Sequence, residues 1–246
     1  MPFTAKSGKF NASINTVEFG TGDKAVKIGG ENVFPLYSFD AAIENAPKVG
    51  IEITDFGMEH EPECIKKYYE GCATLADMAR KAASMEGVDF LSFRMEGGDP
   101  NGANKSTEEL IGELKEIADA VDLPLVVCGC KNVEKDAELF SKAAEALNGK
   151  NAVILSAKEE NYKTVGAAAG LAYKQIVGAE SAVDINLAKQ LNVLISQLGV
   201  DSKSVVMNVG SAAVGYGFEY VISTMDRVKA AALQQGDANL QMPIIT

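Results

Sequence analysis

The side chains best able to do chemistry here are carboxylates, amides and glycines, because the 246 residues include one histidine, His60, and four cysteines. His60 sits in the polar run Met58-Glu59-His60-Glu61-Pro62, so neither a Ser-His-Asp nor a Cys-His nucleophile pair is readily assembled. Cys128 and Cys130 form a C-x-C, but metal sites usually draw on about four ligands, and Cys64 and Cys72 lie far away in sequence. Ordinary reduced thiols are expected, with no metal ligand and no iron–sulfur cluster. Glu96-Gly97-Gly98-Asp99-Pro100-Asn101-Gly102 pairs carboxylates as glycoside hydrolysis does, yet its composition is first of all turn chemistry. In Ala182-Val183-Asp184-Ile185-Asn186, read as a strand, Asp184 and Asn186 share one side. Buried there, they need a ligand or each other, because an unpaired buried polar group costs about 1–3 kcal/mol. Gly210-Ser211-Ala212-Ala213-Val214-Gly215-Tyr216-Gly217 is a glycine loop without the Gly-Lys-Ser/Thr ending of a phosphate loop, so its backbone suits a bulky polar ligand or a partner.

The elements that must position these groups follow from periodicity. Short β-branched runs alternate with segments of helical spacing, which predicts βα repeats and a parallel sheet. The runs are 48–54, 89–95, 123–128, 152–156, 182–186, 204–208 and 242–246. Ser106, with Glu109 three residues on, predicts a capping box, and Asn132 and Asn161 are candidate helix caps. Leu110, Ile111, Leu114, Ile117 and Val121 make one apolar stripe over 107–121. Ile14–Phe19 and Lys24–Ile28 flank Gly20-Thr21-Gly22-Asp23 and predict a β-hairpin capping the N-terminal mouth of the sheet. No G-x-G-x-x-G follows the first strand, which favours a TIM-type (β/α) barrel over a doubly wound sheet. The expected division is 1–47 as hairpin and lead-in and 48–246 as the barrel. Barrel function gathers at C-terminal strand ends, which brings in Glu52, Thr54, Asp55, Gly129–Asn132, Glu159, Glu160, Asn161 and Asn208.

Composition narrows the classes further. A formal charge of −11 disfavours nucleic acid, whose phosphates are met by clustered Lys and Arg. Apolar stretches such as Leu123–Val127 and Val165–Ala172 are far shorter than the roughly 20 residues of a membrane span. Met1–Lys6 lacks the apolar core of a signal peptide, so a cytoplasmic location is expected.

Several segments together resemble one family. These are Gly29-Gly30-Glu31-Asn32 through Pro35, Glu96 to Asn104, Glu160-Asn161-Tyr162-Lys163, Asp184 to Asn192, and Gly215-Tyr216-Gly217-Phe218-Glu219-Tyr220. From about Val26 onward the chain is similar to the small (delta) subunit of the corrinoid iron–sulfur protein of the acetyl-CoA synthase/CO dehydrogenase system. The resemblance implies a TIM barrel paired, as a heterodimer, with a large subunit that holds the [4Fe–4S] cluster and a B12-binding domain. It implies a non-catalytic role: capping a shared corrinoid that takes a methyl group from methyltetrahydrofolate, through a methyltransferase, and passes it to acetyl-CoA synthase in the Wood–Ljungdahl pathway. Barrel geometry and the resemblance together nominate Gly97, Gly98, Asp99, Asn101, Asn161, Asp184, Asn186, Gly210, Ser211 and Tyr216 as the corrinoid face. Leucine at Gly98 or Gly210 is then expected to weaken assembly and spare the fold. The competing function is a pterin-binding methyltransferase, with Asp99, Asn101, Asp184 and Asn186 holding methyltetrahydrofolate. Family members continue past Thr246 into an eighth strand, so the barrel is expected to be incomplete here, with its seventh strand weakly paired at an edge.

Overall fold

The computed structural model describes residues 8, 10–34, 37 and 39–246; the readings made on Met1–Lys6 and on Pro35 lie outside them. The hairpin forms where expected. Strands β1 (Val17–Phe19) and β2 (Val26–Ile28) pair antiparallel, with Val17 opposite Ile28 and Phe19 opposite Val26.

Six strands then form one parallel sheet: β3 (Gly50–Thr54), β4 (Phe90–Arg94), β5 (Leu125–Cys128), β6 (Val153–Ala157), β7 (Ile176–Glu180) and β8 (Val205–Asn208). They lie side by side in chain order, without the reversal of a doubly wound sheet. Each crossover is helical: α1 (Glu63–Tyr68) and α2 (Leu75–Ala83), α3 (Thr107–Ala120), α4 (Val133–Ala146), α5 (Tyr162–Val165), which runs into a π-helical turn at Gly166–Ala172, and α6 (Ile185–Gln197). After β8 comes α7 (Phe218–Leu233). Chain neighbours pack on one another, α2 on α3, α3 on α4 and α6 on α7, which makes one helical layer. Among the described residues β8 does not pair with β3, so the sheet is not closed. None of the described helices is long and apolar enough to cross a membrane.

Strand alternation divides the core. Leu91, Phe93, Leu125, Val127, Ile154, Val177, Val205 and Met207 face the helices. Phe90, Val126, Val153, Leu155, Ile176 and Val206 form a second layer on the other face, covered by Val17, Phe19 and Val26 of the hairpin. The Phe19 ring meets Phe90 edge-on at 5.6 Å, so the hairpin does sit over the N-terminal ends of the strands. Bulky side chains fit there because two strand glycines yield: a Cβ on Gly50 would lie 2.1 Å from the Phe90 ring, and one on Gly178 2.4 Å from Leu155 Cδ1.

The run 182–186 is not a strand; the fifth strand of the sheet is Ile176–Glu180, where Gly178 interrupts the apolar run and hides the strand signal. Met242–Thr246 pairs weakly at the β8 edge, as expected, through a bridge of Ile244 to Met207 with hydrogen bonds Met207 N to Pro243 O (2.8 Å) and Ile245 N to Met207 O (2.9 Å). Asn161 gives no side-chain cap to α5. Ser106 and Asn132 do cap α3 and α4, accepting from the Glu109 and Lys135 N–H groups, while the complete reciprocal capping box belongs to Thr74 and Asp77.

Candidate functional site

Toward their C-terminal ends, the same strands that carry the apolar layer turn polar on the face away from the helices. The Arg94 guanidinium on β4 grips the Glu52 carboxylate on β3 with two bonds, at 2.9 and 2.7 Å. This fork geometry is what a planar guanidinium offers a carboxylate, and it holds the Arg94 pKa above its ordinary value. Ser92 Oγ lies 3.5 Å from Glu52 and 3.4 Å from the Cys128 thiol, whose pKa burial pushes up. Lys158, just past β6, pairs with Glu180 of β7 at 3.5 Å, and Asn208 at the end of β8 donates to Ser156 Oγ at 2.9 Å. Six strands thus contribute to one polar floor in which each cation faces an anion. The arrangement offers hydrogen bonds and little net charge.

The loops rimming this floor are fixed by two buried aspartates, each lodged against a strand-end glycine. Asp55, just past β3, receives the Gly97 N–H on both carboxylate oxygens, at 2.9 and 3.1 Å. Lys105 closes the other side, bonding Asp55 Oδ2 at 3.0 Å, the Asp55 carbonyl at 2.9 Å and Glu113 at 3.2 Å. A Cβ on Gly97 would lie 2.2 Å from Asp55 Oδ2. Asp136, in the first turn of α4, repeats the device beyond β5: it accepts from Cys130 N at 2.7 Å and Cys130 Sγ at 3.2 Å, and a Cβ on Gly129 would lie 2.2 Å from its carboxylate. Gly129 and Cys130 therefore serve as the socket of a helix-borne carboxylate. Burial pushes the Cys130 thiol up to about 11. Among the described residues no three His, Cys, Asp or Glu side chains come together as a metal ligand set.

The nominated residues fall into two groups. The first is occupied locally. Gly97 and Gly98 are buried, and a Cβ on Gly98 would stand 3.0 Å from Leu110 Cδ1 and 3.1 Å from Leu139 Cδ1, so leucine there disturbs the core rather than testing the rim. Asp99 Oδ1 accepts from the Asn101 backbone at 2.9 Å and its amide at 3.3 Å, closing a turn. Buried Asn161 accepts from Lys158 N at 2.7 Å and reaches the Val133 carbonyl at 3.4 Å. Asp184 caps α6, accepting from the Asn186 and Leu187 N–H groups at 2.8 and 3.1 Å, so Asp184 and Asn186 are not the inward strand pair that alternation predicts. A carboxylate two residues before an amide fits a helix cap as well as a strand face, and the cap won.

The second group is open. Gly210, at φ +86°, turns the chain out of β8 with its N–H on Asn208 Oδ1 at 2.9 Å, so leucine there would be strained for backbone reasons alone. Beyond it Ser211 and Asn186 are exposed, and Val214 and Tyr216 stand 82% and 88% exposed, with Phe218 and Tyr220 beside them in sequence. Next to Gly210, Ala182 and Val183 hold left-handed φ values of 45° and 68°, a costly conformation for a β-branched residue, and Val183 is partly exposed too. Sequence reasoning missed Ser92, Arg94, Lys105, Lys158 and Glu180. The alternation Phe90-Leu91-Ser92-Phe93-Arg94 carried the signal for two of them.

Residues 16–246 match the family described as CO dehydrogenase/acetyl-CoA synthase delta subunit. Among curated proteins the chain is similar to acetyl-CoA decarbonylase/synthase complex subunit delta of Methanothermobacter thermautotrophicus, 32% identical over 96% of this chain and 60% of the relative. The subunit of the same description from Methanopyrus kandleri is 34% identical over 92% of this chain and 56% of its own length, and that of Methanocaldococcus jannaschii 31% identical over 96% and 59%. The chain thus spans little more than half the length of these relatives. On this match, which takes in the hairpin, every strand of the sheet and the open loop after β8, the chain belongs to the CO dehydrogenase/acetyl-CoA synthase delta subunit family.

Proposed function

We propose that this chain turns the C-terminal end of its sheet toward a corrinoid carried by a larger partner subunit, and that it encloses and orients that group rather than catalysing a reaction itself. The observation that carries this reading is the exposed apolar surface of Val214, Tyr216, Phe218 and Tyr220 on the loop and helix after β8. A corrin ring has a flat apolar face fringed with amides. Val214 and Tyr216 suit the face, and the exposed Ser211 hydroxyl and Asn186 amide suit the fringe. When bound, the corrinoid supplies cobalt as the methyl carrier. The chain's own part is apolar contact, hydrogen bonding at the rim and exclusion of water.

The same proposal extends to a wider setting, which membership of a CO dehydrogenase/acetyl-CoA synthase subunit family supports. The partner is the large iron–sulfur subunit of a cytoplasmic complex, with a methyltransferase and acetyl-CoA synthase meeting it in turn, in the anaerobic acetyl-CoA pathway. The six sequential strands under one helical layer are read as an arc of a (β/α) barrel that further chain or the partner closes. A pterin-binding methyltransferase is disfavoured, because Asp99 Oδ1, the Asn101 amide nitrogen and Asp184 Oδ1 are already engaged in a turn and a cap. The test is assembly. The double variant Val214→Ser/Tyr216→Ser removes exposed surface only, so its melting temperature should match the parent while its affinity for the corrinoid-bearing subunit falls at least about tenfold, the 1.4 kcal/mol expected from losing two apolar anchors. Unchanged affinity would sink the reading. Methyl transfer from methyltetrahydrofolate to free cobalamin by the chain alone would establish the enzyme instead.

A further inference from the structure

The chain contains two Asn-Gly pairs, Asn101-Gly102 and Asn148-Gly149. An asparagine before glycine can deamidate. The glycine nitrogen attacks the side-chain carbonyl carbon, the new C–N bond closes a succinimide, ammonia leaves, and water opens the ring to aspartate or isoaspartate. Glycine permits this because it has no Cβ to block the approach. The reaction consumes water and needs no oxidant or enzyme, so the fold decides which pair reacts.

The two pairs are held differently. At the first, the attacking nitrogen is engaged: Gly102 N donates to the Asp99 carbonyl at 2.9 Å, while the Asn101 backbone and amide both bond Asp99 Oδ1. At the second, among the described residues, neither the Gly149 N–H nor the Asn148 side chain has a hydrogen-bond partner. Both residues are exposed, Gly149 sits at φ +82°, and nothing lies within 4 Å of where its Cβ would be. We propose that Asn148 is a site of spontaneous deamidation and that Asn101, equally exposed, is protected by its turn.

The position gives the modification a structural consequence. The turn after α4 leads directly to Asn151, the clip that holds the N-terminal hairpin: Asn151 Nδ2 donates to the Glu18 and Gly20 carbonyls at 2.9 and 3.3 Å, and Gly20 N donates to the Asn151 carbonyl at 2.7 Å. Isoaspartate at 148 lengthens the backbone by one carbon just before this clip. The hairpin whose Val17, Phe19 and Val26 cover the apolar layer then loosens.

The experiment is to age the purified chain in mildly alkaline buffer at physiological temperature and to follow both peptides by mass spectrometry that separates aspartate from isoaspartate. The Asn148 peptide should convert several-fold faster than the Asn101 peptide, and the difference should vanish in denaturant. Equal native rates, or a faster Asn101, would overturn the assignment. The aged chain should also melt about 2–8 °C lower, the shift expected for losing one or two hydrogen bonds in a domain of this size. Asn148→Gln should keep its melting temperature through the same ageing. If it declines as the parent does, the link from Asn148 to the hairpin is wrong.

Discussion

Replacing Gly97 by alanine tests whether the Asp55 lodgement organises the rim. The new Cβ would sit 2.2 Å from Asp55 Oδ2 and 3.0 Å from Lys105 Cδ, so the carboxylate must move. Asp55 has no exposed side-chain surface to move into, and moving breaks its bonds from the Gly97 N–H and strains the pair with Lys105. Hydrogen bonds to a charged group contribute about 1.5–3 kcal/mol, and loosening the Lys105 contact adds about 1. Against this, alanine restricts the unfolded chain and returns about 0.4–1 kcal/mol, so the loss wins. The net cost is about 2–3 kcal/mol, which for a chain of this size lowers the melting temperature by roughly 4–12 °C. Thermal melts checked against urea titrations would measure it. The cause is isolated by repeating the substitution in an Asp55→Ala background, where no carboxylate remains to collide and the extra cost of alanine should largely disappear. An unchanged melting temperature, or the same cost in both backgrounds, would refute the reasoning.

Two further outcomes are expected. Burial pushes the Asp136 carboxyl above its ordinary value, outweighing the Cys130 hydrogen bonds and the Lys158 charge that pull it down. Between the ordinary and raised values the folded state holds a proton that the unfolded state has released, so this group's contribution to stability falls as pH rises through that window, and Asp136→Asn should flatten the fall in pH-dependent urea titrations. A slope equal to the parent's would contradict it. Of the cysteines, exposed Cys64 should react first with a maleimide, while buried Cys128 and Cys130, the latter with its thiol held near 11, should label only on unfolding; peptide mapping that finds Cys130 labelled early in the native chain would be the contrary result.

The amphipathic parts of this fold were legible in the sequence. The stripe Leu110, Ile111, Leu114, Ile117 placed α3, the hairpin flanks placed β1 and β2, and five of the six sheet strands stood out as β-branched runs. The sixth did not, because Gly178 is demanded by Leu155 lying over it across the sheet, a contact that no local pattern records. The same blindness to packing shaped the site. Gly97 and Gly98 suggest exposed backbone but are shaped by Asp55, Leu110 and Leu139, residues remote in sequence. Asp184 has the spacing of a strand pair and the hydrogen bonds of a cap. The openness of the loop through Gly210, Ser211 and Tyr216 was legible because its glycine punctuation is local. The pairings of Glu52 with Arg94 and of Glu180 with Lys158 join neighbouring strands and were not legible.

Whether the surface around Val214 and Tyr216 faces a corrinoid-bearing partner, as proposed, is read directly by amide hydrogen exchange of the chain, alone and in complex with that subunit under anaerobic conditions. New protection is expected over 208–220 and 183–186, with the hairpin at 17–28 unchanged. Protection confined to the hairpin, or none at the loop after β8 in a formed complex, would contradict it.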